Sequence, residues 1–169
     1  MRVILLGEDF EKLTIYKFSI DYPSVCRAEF NQKNKHDSGD LVFHFPDKEK
    51  VFITWGELEK ARKKFRTLSD YAENSIKEVK KGATVFERKE QSTMSLNSHE
   101  ALYNQTSVSQ PRLGLIGLGR KPVKRGTYSV HLYCEPSARF FVIYALFSDS
   151  TDESFRETFM RMANSFTCH

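Results

Sequence analysis

The residue types best suited to binding a metal or attacking a carbonyl are Cys134, Cys168 and His169, with His131 just before Cys134. Zinc requires three or four thiolate or imidazole groups around one point. Side chains alternate along a strand, so we expect His131 and Cys134 on opposite faces, with Cys134 a small core residue. Cys168 and His169 end the sequence, where fraying is expected. The spacing therefore favours no metal site, and a Cys–His nucleophile would lack a third, orienting group.

The segment 110–126 is the second candidate, because it combines glycines with basic residues. Glycine lets backbone amides approach a phosphate, but a dinucleotide or Walker loop must lead into a helix with a fixed glycine order. Here Gly119 is followed by Arg120, Lys121 and Pro122, which do not begin a helix. We predict an exposed basic loop that binds a protein partner rather than phosphate. Its partner-binding residues would be Arg112, Arg120, Lys121, Lys124 and Arg125.

Other reactive residues have structural explanations. His99 and Glu100 are neighbours in a predicted strand and should face opposite sides, which makes them poor partners for a proton relay. Trp55 and Tyr71 are more typical of core anchors than of an aromatic pocket. There is no GxSxG nucleophile elbow. We therefore predict no catalytic residues, no metal ligands and no cofactor.

Composition indicates one ordinary folded domain, residues 1–169. The formal net charge of +4 is far below that of a dedicated nucleic-acid binder, so the nucleic-acid signal is weak. Nucleic-acid binding through Lys60 to Arg66 and the basic loop is a weaker third hypothesis, because aromatic stacking residues are not interleaved with those charges. The three cysteines form no CxxC pair, which indicates no secreted disulfide framework and a reducing compartment. No signal-peptide core or membrane span is evident. These features predict a cytoplasmic protein and leave its oligomeric state open.

Hydrophobic periodicity predicts an α+β fold with an antiparallel sheet of about six to eight strands. Apolar residues at helical spacing predict two adjoining helices before residue 82 and a final helix. Thr67 and Asp70 would cap the second helix, and Ser150 and Glu153 the final one. The run 140–147 is apolar on both faces, which is typical of a central strand. The predicted strands are 13–20, 41–45, 50–55, 83–94, 99–109, 127–134 and 139–147, and the helices 58–68, 68–81 and 152–166.

The order of these elements resembles a known family. The similar features are the aromatic strand ending at Tyr22-Pro23, the helix opening at 68–71, the turn at 96–101, the strand pair 131–134 and 139–144, and the helix closing on 165–166. They resemble the PsbP-like proteins, which share a fold with the Ran-binding Mog proteins. The resemblance implies a central antiparallel sheet flanked by helices, an α/β/α sandwich. This sequence departs from the family pattern at Cys26, where such families often have Trp. Because of such departures, a photosynthetic role is not expected.

The resemblance also bears on function, because related proteins act as assembly factors, chaperone-like adaptors or binders of small GTPases. It implies a non-enzymatic protein-interaction or adaptor module, which would bind through a sheet edge or the basic loop. The alternative is an enzyme that binds a small ligand or a metal in a pocket between the sheet and the helix 68–81. A concave pocket with converging polar groups would favour that alternative.

Overall fold

The computed structural model describes residues 9–110, 122–148 and 153–169, and within these ranges it contains nine strands and three helices. The strands are β1 Phe10–Ile15, β2 Phe18–Pro23, β3 Arg27–Phe30, β4 Gly39–His44, β5 Lys50–Glu57, β6 Val85–Leu96, β7 His99–Gln110, β8 Val123–Cys134 and β9 Arg139–Ser148. The helices are α1 Leu58–Lys64, α2 Leu68–Lys80 and α3 Glu153–Ser165. No helix in these ranges is long and apolar enough to cross a membrane.

Seven strands form one antiparallel sheet in the order β3-β4-β5-β9-β8-β7-β6. The last strand in the sequence, β9, lies in the middle, between β5 and β8. Its inward residues Phe141, Ile143 and Ala145 are almost fully buried, while Phe140, Val142 and Tyr144 on the other face are partly buried. The central position predicted from its two apolar faces is therefore confirmed.

The N-terminal strand prediction was wrong in one respect. Residues 13–20 do not form one strand, because β1 and β2 form a separate two-stranded hairpin that turns at Tyr16 and Lys17. Both turn residues have positive φ, 48° and 60°, which usually calls for Asn or Gly. Tyr16 is held instead by tertiary contacts, since its hydroxyl donates to the Asn34 carbonyl and its ring lies 5.6 Å from Trp55. That anchoring has no local sequence signal.

Helices pack on both faces of the sheet, α3 on one face and α2 on the other. On one face α3 buries Phe155, Phe159 and Met162 in the main core. On the other, α2 contacts β7 and β8 and buries Ala72 and Ile76. Its predicted capping box is present, with Thr67 and Asp70 bonding each other's backbone N–H. The coarse prediction, an antiparallel sheet with helices, is confirmed.

The helix cover of the second face is only partial. Val42 and Phe52 lie on that face of β4 and β5, opposite each other in register, and both remain half-buried. Neighbouring Thr54 is exposed. The α2 face is thus closed over β7 and β8 and more open over β4 and β5.

Residues at both ends of the predicted basic loop, 110–126, lie in strands, because β7 extends to Gln110 and β8 begins at Val123. Gly126, predicted to be in the loop, is buried in β8 opposite Phe147. A Cβ at this position would overlap the Phe147 ring, so glycine here makes room for an aromatic neighbour. Arg112, Arg120 and Lys121 of the predicted loop, and Ser150 of the predicted α3 cap, lie outside the described residues.

Candidate functional site

A small cavity lies between α2 and the sheet, where the alternative hypothesis placed a ligand pocket. Its volume is about 80 Å³. Ser75, Ile76 and Val79 of α2 form one wall, and β7, β8 and β9 form the other. The sheet wall is rich in hydroxyl groups and consists of Thr106, Thr127, Ser129, His131, Val142 and Tyr144.

His131 is the one titratable imidazole in this wall, and it is 1% exposed. Its Nε2 lies 3.0 Å from Ser75 Oγ, and its ring packs edge-on against Tyr71 at 5.2 Å. Its Nδ1 is buried and has no hydrogen-bond partner among the described residues. Burial lowers the pKa of His131 from 6.5 to about 4, because the charged imidazolium would lose its hydration. His131 is therefore neutral at physiological pH.

The Ser75–His131 pair does not have the arrangement of an activated nucleophile. Ser75 Oγ also donates to the Tyr71 carbonyl one helical turn earlier, at 3.2 Å. With its single proton used there, Ser75 accepts from the Nε2–H of neutral His131, the reverse of general-base activation. The cavity is also several-fold smaller than ordinary ligand pockets of roughly 300–1,000 Å³. It has room for a few water molecules.

A second group of reactive side chains lies on the opposite face of the sheet. Cys134 and Cys168 form a disulfide across 34 residues of sequence, a bond that the spacing of the cysteines did not indicate. His169 Nδ1 lies 3.6 Å from Cys134 Sγ and 3.3 Å from Cys168 Sγ. The ring of His99 lies 5.3 Å from that of His169. The ligating atoms of the four residues, which we call the Cys–His cluster, lie within 4.8 Å of one another.

Strand register brings His99 to Cys134. Ala101 on β7 pairs with Leu132 on β8, so two residues further along each strand His99 and Cys134 are neighbours on the same face. Local spacing predicts only a strand at His99, because His99 and Cys134 are far apart in the sequence. His131 points to the other face, as alternation predicted.

The segment after α3 brings Cys168 and His169 to Cys134, and the expectation that it frays was wrong. Thr167 exchanges two backbone hydrogen bonds with Ser19, both 2.9 Å. Asn97 Nδ2 donates to the Phe166 carbonyl at 2.8 Å, and Arg139 donates to the Cys168 carbonyl at 3.1 Å. These bonds fix the segment, so Cys168 is buried and His169 alone is exposed.

Comparisons with known proteins identify the fold. No family model and no curated protein sequence matches the chain. Among solved structures, CyanoP, the cyanobacterial PsbP of Synechocystis sp. PCC 6803, aligns with a TM-score of 0.64 at 11% identity over 95% of this chain and 92% of its own. Ran-binding Mog1p of Saccharomyces cerevisiae aligns with a TM-score of 0.57 at 10% identity, covering 96% of both chains.

The protein has the PsbP/Mog fold. A Pseudomonas aeruginosa protein of unknown function, described as a putative regulator, also shares it, with a TM-score of 0.55 at 6% identity over 96% of this chain and 99% of its own. At such low identities the similarity shows the fold alone. The resemblance inferred from the sequence is confirmed at that level.

Two predicted partner-binding residues can be placed on the PsbP/Mog fold. Lys124 and Arg125 are exposed at the start of β8. Successive strand residues point to opposite faces, so Arg125 shares the face of His131 and Lys124 the face of Cys134. Neither makes an ion pair with another described residue. The two positive charges therefore lie on opposite faces of the sheet at the start of β8.

Of the two aromatic candidates, Trp55 is a core anchor as predicted, whereas Tyr71 is only partly buried. Trp55 is 2% exposed and packs against Phe18 at 5.1 Å, with its Nε1 donating to the Lys35 carbonyl. Tyr71 stacks on Phe65 and packs edge-on against Phe140. Neither lines the described cavity.

Proposed function

We propose that the protein is a non-enzymatic interaction module. It would bind an acidic surface of a partner protein through the basic residues between positions 112 and 125. The observation that carries the proposal is the exposure of Lys124 and Arg125 at the start of β8. Both belong to a stretch, residues 101–134, that contains no Asp or Glu. Its five cationic residues are Arg112, Arg120, Lys121, Lys124 and Arg125.

The charge distribution supports an acidic partner. Elsewhere on the described surface, cations often lie beside carboxylates, as in the pairs Lys60–Glu57, Lys63–Glu59 and Lys81–Glu78. Such pairs partly cancel each other's field. Lys124 and Arg125 have no carboxylate among the described residues at ion-pair distance, so their field extends into solvent and would attract opposite charge.

The fold and the cavity also favour binding over catalysis. The yeast protein with the same fold is named a Ran-binding protein, which indicates that this architecture can carry a protein-binding surface. The described cavity beside α2 is too small for a substrate of ordinary size. We further propose a cytoplasmic location. Helices cover one face of the sheet and part of the other, which leaves the ends and edges of the sheet accessible for contacts.

Charge reversal tests the proposal. We expect the double variant Lys124→Glu and Arg125→Glu to lose at least about tenfold in partner binding, because two attractive charges become repulsive. Binding to wild-type protein should also weaken steeply as salt rises, since exposed charges are screened. The measurement is affinity capture from the native cell with quantitative mass spectrometry, followed by titration of the purified partner.

The matched control is Lys12→Glu with Lys33→Glu, which makes the same change of net charge at two exposed lysines elsewhere. A third variant, Phe30→Lys, tests the edge strand β3, where Phe30 is 42% exposed. Equal binding by the β8 variant and the control would overturn the basic-surface proposal. Loss of binding only in Phe30→Lys would assign the contact to the sheet edge.

A further inference from the structure

We propose that the Cys–His cluster is a redox-controlled site for a thiolate-seeking divalent cation such as zinc, with the disulfide as its metal-free state. The cluster supplies two sulfurs and two imidazoles, from Cys134, Cys168, His99 and His169. This Cys2His2 set is a common donor set of structural zinc sites. Metal binding here is separate from the proposed partner surface at the start of β8.

The distances fit one tetrahedral ion after reduction. In such a site a thiolate sulfur and an imidazole nitrogen lie about 3.5 Å apart. His169 Nδ1 is already 3.6 Å and 3.3 Å from the two sulfurs. Once the disulfide is reduced, the sulfurs repel each other at bonding distance and can separate towards the ~3.8 Å expected of two thiolates on one zinc ion.

The surroundings suit a metal that must enter and leave. Cys134 and Cys168 are buried, whereas His99 is half-buried and His169 exposed, so the cluster opens to solvent on its imidazole side. The backbone that carries the ligands is held in place by β7, β8 and the Ser19–Thr167 bonds. Little conformational entropy would then be lost on binding.

The disulfide and the metal exclude each other, because a disulfide sulfur carries no thiolate charge. Two small-molecule thiols reduce the disulfide by exchange and leave as their own disulfide. The two protein thiols then bind one zinc ion and release two protons. A hydroperoxide reverses the state: the two thiolates give up two electrons and form the S–S bond. Hydrogen peroxide takes those electrons with two protons and becomes two water molecules, while the zinc ion leaves hydrated. In a reducing compartment the dithiol, metal-binding state would dominate.

Cobalt and zinc titrations of the full chain test this inference. Protein reduced with a phosphine under anaerobic conditions should bind one cobalt ion, giving the d–d bands of tetrahedral cobalt and a sulfur-to-cobalt charge-transfer band. Zinc should displace the cobalt at one equivalent. The oxidised chain should bind less than about a tenth as much. One equivalent of hydrogen peroxide should release the zinc and restore a Cys134–Cys168 peptide link in mass spectrometry.

Variants that keep both cysteines test the ligand set. His99→Ala and His169→Ala should each weaken zinc binding at least about tenfold and alter the cobalt spectrum, since one nitrogen ligand is lost. His36→Ala, at an exposed histidine, and Cys26→Ser, at the free cysteine, should leave both unchanged. Circular dichroism of each sample reports whether it is folded.

Three results would overturn the inference. They are a folded, reduced chain that binds no cobalt through sulfur, histidine variants that bind zinc as tightly as the wild type, and a reduced chain that stays unfolded after zinc is added. In each case the disulfide is a structural crosslink only. None of these results bears on the basic-surface proposal, which the β8 variants test.

Discussion

At the scale of single residues, His131 shows how burial sets chemistry. The same imidazole that would titrate near pH 6.5 in water is held neutral to about pH 4 beneath α2. The cause is burial, because the charged ring would lose its hydration. His169, by contrast, lies exposed beside two sulfurs. Two histidines of one protein thus have different surroundings, one buried beneath a helix and one exposed beside sulfur.

The pKa of His131 predicts how stability depends on pH. Because its folded-state pKa is below the unfolded value, the unfolded chain binds the proton more readily between about pH 6.5 and pH 4. The stabilisation is complete above pH 6.5 and is lost as pH falls through this range, by about 3 kcal/mol in total. Urea unfolding at a series of pH values should show this loss in wild type and a flatter profile in His131→Gln.

His36→Gln is the control, because it makes the same substitution at an exposed histidine. Acidic groups contribute equally to all three proteins, so the differences between profiles isolate the histidines. A wild-type profile parallel to that of His131→Gln would contradict the neutral, buried state of His131.

At the scale of elements, the turns show where local sequence is a strong guide. The β6–β7 hairpin was predicted, and it turns at Asn97 and Ser98, both with positive φ (46° and 70°). Asn tolerates this conformation, and its side chain also binds the Phe166 carbonyl. The two residues of the β1–β2 turn also have positive φ, but neither is Asn or Gly, which is why that hairpin was missed.

Ser98 predicts a stabilising change. Replacing it with Gly removes the steric cost of positive φ and creates the Asn-Gly pair preferred in two-residue hairpins. We expect Ser98→Gly to raise the free energy of unfolding by about 1 kcal/mol. Ser95→Gly, at an exposed position inside β6, should instead lower it by about 0.5–1 kcal/mol. Denaturant unfolding that shows both variants less stable than wild type would refute this account of the turn.

At the scale of the whole molecule, Arg139 joins segments far apart in the sequence. It is 1% exposed, and its guanidinium donates to the carbonyls of Tyr16 at 2.7 Å, His36 at 3.0 Å and Cys168 at 3.1 Å. It also lies 4.9 Å from the Phe141 ring. A planar fork with several donors suits this task better than an ammonium group. Arg139 thereby ties the β1–β2 turn, the loop before β4 and the segment after α3 to the sheet.

Arg139→Lys should therefore be costly although charge is kept. A lysine cannot reach all three carbonyls, and each buried carbonyl left without a donor costs free energy, so we expect a loss of about 2 kcal/mol or more. Hydrogen exchange should speed up at residues 16–17 and 167–168. Arg27→Lys, at a side chain 71% exposed, is the control and should change stability by less than about 0.5 kcal/mol. Equal stability of the two variants would show that Arg139 does not hold these segments together.

The sequence alone determined the elements whose signals are local. Two apolar faces marked β9 as central, Thr67 and Asp70 marked the start of α2, and Asn97 marked a turn, because periodicity, caps and turn residues act within a few positions. Only the tertiary structure decided which distant residues meet. Strand register placed His99 beside Cys134, and bonds from Ser19, Asn97 and Arg139 brought Cys168 and His169 to them. Such contacts depend on pairing between segments, which leaves no trace in local spacing.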